Sequence, residues 1–260
     1  MTEGKDIKEM DRIGELSQEA KDEAERVTRS KRLFLRYLDQ QAWFPQHTPY
    51  NIFLLMKKRD AVRLLLSEEE IARRGLTVPQ ERDWITFVVE QKVPEGTDGV
   101  KYRTVRYQDG ETLDLPVPPA TDLNRCPEDL TVRLIERCGL EIRLSEQLPD
   151  GEYGAWYDNR GNRVLIQEDM DDPELLFQRL SIQLALASFS RRVTPFSRKD
   201  LAYPALCVTY LLCRRYGVST EDLSVHRVAP ALAGMQEGKR RDTLFLIHCA
   251  FRELDGLLTP

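Results

Sequence analysis

LLFQRLSIQLALASFS, Leu175 to Ser190, is the stretch on which the fold turns. Arg179 is its only ionised side chain, in a chain of which 31% is charged. A run this long, apolar on every side, reads as a helix buried all round. Gln183 stands in its middle, a neutral amide that reads by itself as a partly satisfied side chain on a buried helix.

Upstream, EIRLS, EYGAWYD and NRVLIQ read as strands, the last two joined by an Asp-Asn-Arg-Gly-Asn turn. CPEDLTVRLIERCGL before them reads as a helix ending at Gly139, and DLAYPALCVTYLLCRRYG and RRDTLFLIHCAFRELDGLL downstream as two more. The N-terminal half has a different texture. Residues 5–23 form a charged, weakly amphipathic helix or tail, and a helix with a basic side runs from Ala24 to about Leu38. After WFPQHTP comes the apolar segment YNIFLLMKKRDAVRLLL, then SEEEIARRG, where Ser67 and Glu70 have capping-box spacing and Gly75 closes the helix. WITFVVEQKV and KYRTVRYQDGETLDL alternate like strands on either side of a turn-rich PEGTDG.

These patterns predict an α+β protein in two domains: a charged segment over 1–23, an N-terminal domain over 24–116, a proline-rich linker over 117–125 and a C-terminal domain over 126–260. A hydrophobic fraction of 41% supports folded cores, and a net charge of −5 gives no global signature for nucleic acid. The charged N-terminus has no signal-peptide pattern, and no apolar run reaches membrane-spanning length, so the expected location is the cytoplasm, with no membrane partner.

Chemistry-bearing clusters are scarce. His47, His226 and His248 do not pair at ligand spacing. The five cysteines lack a CxxC pattern; Cys207 and Cys213 are six residues apart and read as small buried thiols in a reducing compartment. Ser181 and Ser188 lie on the dry helix without a neighbouring base. No cofactor is indicated.

The most functional-looking feature is basic. Between residues 24 and 66 nine cations (Arg26, Arg29, Lys31, Arg32, Arg36, Lys57, Lys58, Arg59, Arg63) face three acids (Glu25, Asp39, Asp60). Phe34, Tyr37, Trp43, Phe44, Tyr50 and Phe53 are interleaved with them. A cationic groove with aromatic platforms is how single-stranded nucleic acid is held without sequence preference. The candidate contacts are Arg32, Arg36, Tyr50, Asn51, Lys57, Lys58, Arg59 and Arg63. Asn51 fits a loop-holding role equally well.

TPYNIFLLMKK, the strand pair WITFVV and KYRTVRYQDGETLDL, the hairpin GAWYDNRGNRVLIQ and the later AYPALCVTYLLCRRYGVSTEDLSVHRVAPAL resemble, in this order, the ArdC-type antirestriction and mobile-element proteins over about residues 24–255. The resemblance implies an N-terminal single-stranded-DNA-binding domain followed by a zinc-metallopeptidase-like domain with His-Glu-x-x-His on its active helix. It places Ile182 and Leu186 at the two histidine positions, Gln183 at the general base and Leu206 at the third ligand. Aliphatic side chains have no lone pairs for a metal, and an amide cannot take a proton from water at neutral pH. The expectation is therefore a zincin-like domain without metal or catalysis, in a protein that binds single-stranded DNA. The alternative is a scaffold holding a peptide or protein partner in the former peptidase cleft.

Overall fold

The computed structural model describes residues 3–80, 83–91, 100–116, 125–149, 152–225 and 228–259. In chain order the elements are α1 (Glu3–Thr28), α2 (Lys31–Trp43), α3 (Pro49–Lys58), β1 (Leu65–Ser67), α4 (Glu68–Arg73), β2 (Ile85–Gln91), β3 (Lys101–Asp109), a 3-10 turn (Gly110–Leu113), α5 (Pro127–Arg137), β4 (Glu141–Ser145), β5 (Ala155–Asp158), β6 (Arg163–Gln167), α6 (Pro173–Ser190), α7 (Arg198–Tyr216), α8 (Val228–Ala233) and α9 (Glu237–Leu258). The α+β expectation holds, and the chain divides into two compact units: Met1–Val27 with His47–Pro119, and Thr28–Gln46 with Ala120–Pro260.

In the first unit β1, β3 and β2 form an antiparallel sheet in that order, with Ile85 opposite Tyr107 and Gln91 opposite Lys101. Inward alternation along β2 buries Ile85 and Phe87. His47 packs edge-on against Phe87 and Tyr107, with ring centroids 4.8 and 5.3 Å away. Beside this core α1 hides Leu16, Ala20, Ala24 and Val27, one stripe at helical spacing. The Ser67/Glu70 capping box forms as expected: the Glu70 side chain accepts from the Ser67 N–H at 2.9 Å, and the Ser67 hydroxyl accepts from the Glu70 N–H at 3.2 Å.

The second unit has a three-stranded sheet, β4 parallel to β6 and β5 antiparallel to it, in the order β4-β6-β5. The β5–β6 turn places Asn162 at φ 48°, and the Asp158 carboxylate accepts from the N–H groups of Arg160 and Gly161 at 3.0 and 3.1 Å. Asp172 caps α6, accepting from the Leu175 N–H at 3.0 Å, and α6 packs between α5, α7, α9 and β5. Eleven of its side chains, from Phe177 to Phe189, are buried, as the composition of the run predicts.

By spatial clustering α2 goes with the second unit, although it lies within the 24–116 span. There Asp39 accepts from the Tyr210 hydroxyl (3.0 Å) and pairs with Arg214 (2.8 Å), and the Ala42 carbonyl accepts from Arg215 at 3.2 Å. These ties span more than 170 residues of chain, invisible to local pattern. The six residues of α8 are too few to show a helical period in the sequence. The PEGTDG turn and most of the 117–125 linker lie outside the described residues.

Candidate functional site at the buried helix

Gly154 enters β5 in a left-handed conformation, φ +90°, where a Cβ would lie 2.8 Å from Cγ of Arg179 on α6. This close approach sets β5 against α6. The Gln167 N–H donates to the Gly154 carbonyl at 3.0 Å, so residues 154, 156 and 158 face β6 and Tyr157 turns its main-chain groups outward. Those outward groups would be orphaned without partners. Gln183 Oε1 accepts the Tyr157 N–H at 2.9 Å, and Nη2 of Arg198 donates to the Tyr157 carbonyl at 2.6 Å. Nη1 of Arg198 closes the set by donating to the same Gln183 oxygen at 2.9 Å. The guanidinium lies over the Trp156 ring, 3.6 Å from its centroid.

The buried amide of Gln183 is therefore explained. Gln183, 4% exposed, receives two donors on one oxygen and seals the free edge of β5 together with Arg198. Leu186 is also buried, and Ile182 and Leu206 are half-buried on α6 and α7. Sequence reasoning missed Arg198, Trp156 and Tyr157, whose approach to Gln183 depends on the hairpin and on the start of α7, which the Ser197 cap fixes.

Do these residues fit a metal? They do not. Ile182, Leu186 and Leu206 offer no donor atoms, the Gln183 oxygen is already engaged, and a permanent cation stands against it. Among the described residues no group of three or more His, Cys, Asp or Glu lies close enough to hold an ion. His248 spends Nε2 on the Pro45 carbonyl at 2.9 Å, and His226 lies outside the described residues. Burial pushes the Cys207 and Cys213 thiols well up, which keeps them protonated and unreactive. Ser188 is occupied too, donating to Glu253 at 2.8 Å and accepting from Arg192 at 2.6 Å.

The basic cluster is divided between the two units. Arg32 and Arg36 lie on α2 in the second unit; Tyr50, Asn51, Lys57 and Lys58 lie on α3, and Arg59 and Arg63 follow it, in the first. Asn51 is no free contact: Nδ2 donates to the Val88 carbonyl at 2.8 Å, and Oδ1 accepts the Val88 N–H at 3.0 Å. Lys57 pairs with Glu19 of α1 at 3.0 Å. Phe34, Tyr37, Phe44 and Phe53 are buried and cannot serve as stacking platforms, whereas Trp43 and Tyr50 are half-buried. What remains on one unit is the exposed run of Lys57, Lys58 and Arg63, with Arg59 half-buried between them.

No family model matches the sequence, and no curated protein matches it. Among solved structures, the Mn(II)-bound antirestriction protein ArdC from plasmid R388 superposes with a TM-score of 0.54 at 15% identity, covering 84% of this chain and 89% of that one. The metal-free form of that protein gives a TM-score of 0.50 at 14% identity, covering 80% and 82%. The chain has the ArdC-type fold.

Proposed function

We propose that this chain is a non-enzymatic, mobile-element-associated protein of the antirestriction type, whose first unit binds single-stranded DNA and whose second unit is a peptidase-like fold emptied of catalytic groups. The observation that carries the non-enzymatic reading is the saturation of Gln183 by Tyr157 and Arg198. A general base needs a free, charged oxygen within reach of a water, and a metal-binding cleft needs a neutral or anionic wall. Here the oxygen is spent and the wall is a guanidinium. The ArdC-type fold supports the antirestriction context. Nucleic-acid binding draws its support from Lys57, Lys58, Arg59 and Arg63, cations gathered within one short segment at the end of α3.

The test has two arms. Purified protein is expected to carry no stoichiometric zinc or manganese by elemental analysis and to leave unfolded casein uncut; a stoichiometric metal with proteolysis would overturn the reading. Fluorescence anisotropy with a labelled unstructured oligonucleotide is expected to show binding that weakens as salt rises, with a logarithmic slope of about −0.7 per phosphate contact. Absence of binding at low ionic strength would remove the DNA role.

The alternative, a scaffold holding a peptide in the former cleft, draws less support, because Gln183 and Arg198 occupy the main-chain groups of Tyr157 on the β5 edge.

A further inference from the structure

The second unit contains a groove of about 1370 Å³, bounded by the 192–197 loop, the first two turns of α7, α8 and the first half of α9. It does not include Gln183, Leu186 or Leu206. Met235, Phe245 and Leu246, half-buried, are the accessible part of its apolar wall, beside the buried Leu201, Val228 and Leu232. Tyr203 on the α7 side is 43% exposed.

Size decides the class of occupant. Small-molecule pockets fall in the range of about 300–1,000 Å³. The α9 wall from Gly238 to Cys249 is about 18 Å long at the helical rise, and a helix of that length, about 10 Å across, fills about 1,400 Å³. The groove has about the volume of a three-turn helix.

Charge decides its flank. Five ionised side chains line the groove: Arg192, Lys199, Asp200, Lys239 and Asp242. Arg192 is committed to Glu253 at 2.7 Å, and Asp242 is paired with Arg241 at 3.1 Å. That leaves Lys199 on one wall and Lys239 on the other against Asp200 alone. The uncommitted charge is net positive and sits on both sides of the apolar floor.

We propose that this groove is a docking site for an amphipathic helix of a partner protein, apolar on one face and acidic along its flanks. The helix lays its i, i+3, i+4, i+7 face on Tyr203, Met235, Phe245 and Leu246, and its carboxylates meet Lys199 and Lys239. Met235, unbranched and adaptable, accommodates different apolar anchors. The proposal stands apart from any role in DNA binding.

The experiment uses the full chain and two labelled synthetic peptides of about fourteen residues, with identical Leu/Phe anchors at helical spacing and either Glu or Lys on the flanks. Fluorescence anisotropy is expected to show saturable binding of the Glu peptide, tighter than the Lys peptide by about tenfold. The Lys199→Glu/Lys239→Glu double variant is expected to invert that preference, and Leu246→Glu to weaken both peptides, with thermal unfolding by circular dichroism unchanged in each. A photo-crosslinker on the Glu peptide should label the Gly238–Cys249 segment. Failure of both peptides to bind, indifference to flank charge, or crosslinks outside the groove would each overturn the proposal. So would a concentration-dependent dimer in sedimentation that Leu246→Glu abolishes, since the groove would then be filled by a second copy of this chain.

Discussion

Asn51 grips Val88 at both of its main-chain groups, giving a hydrogen to the carbonyl at 2.8 Å and taking one from the N–H at 3.0 Å. Val88 lies opposite Thr104, and Thr104 is held from the other flank by Glu9, whose Oε1 accepts its N–H at 2.7 Å and its hydroxyl at 2.7 Å. One cross-strand pair of the first unit is thus fixed by side chains from α3 and α1. In the second unit Gln183 and Arg198 do the same to Tyr157. Both units close a sheet edge with polar side chains on helices, which removes a template for unwanted pairing.

Replacing Asn51 with leucine keeps the bulk and removes both bonds. The variant is expected to lose about 2 kcal/mol, because Val88 keeps its polar groups without partners. Urea unfolding measures the loss, and faster hydrogen exchange at the Val88 amide locates it.

Gln183→Leu strips the acceptor from a buried N–H and from a guanidinium at once, with an expected cost of about 2 kcal/mol. Paired with Arg198→Met in a double-mutant cycle, it should show a coupling of about 1–2 kcal/mol. Additive effects would mean that the two side chains do not act together. Gln183→Glu, by contrast, puts a carboxylate against Arg198 and is expected to keep the fold while conferring no peptidase activity.

The Thr104 hydroxyl, and after it the Thr104 N–H, hold the Glu9 carboxyl below the usual glutamate range. A folded value below the unfolded one contributes stability that is present above the unfolded pKa and is lost as pH falls through the folded pKa. Thermal midpoints of the native protein and of Glu9→Gln should therefore differ at about pH 7 and converge towards about pH 3. A difference that persists in acid would assign the effect to packing instead.

Charge reversal separates the two halves of the basic cluster. Lys58→Glu with Arg63→Glu, both in the first unit, is expected to lower oligonucleotide affinity and flatten its salt slope by about 0.7 per lost contact. Arg32→Glu, in the second unit, is expected to leave both nearly unchanged. Equal effects from the two sets, measured by anisotropy across a salt series, would place the DNA path on both units.

Local chemistry was legible wherever the sequence carries it within one turn. Ser67 and Glu70 announce their capping box, Gly75 and Gly139 adopt the left-handed helix ends their positions imply, and the dry run from Leu175 to Ser190 is the buried helix it looks like. Non-local partnerships were not legible. Nothing near Asp39 indicates that Tyr210 and Arg214 will claim it, and with them α2 joins the second unit. Gln183 is readable as an amide on a buried helix, but Tyr157 and Arg198 reach it only once the hairpin and α7 are in place. The aromatic platforms failed for a related reason: spacing does not reveal which rings a core will absorb, and it absorbed Phe34, Tyr37, Phe44 and Phe53.

Gly154 carries a consequence for substitution. Its φ of +90° and the Arg179 stem over its vacant Cβ position leave almost no other residue room there. Even a methyl group at this position has to displace Arg179 or bend the entry to β5, so Gly154→Ala is expected to loosen the strand from the long helix that leans on it.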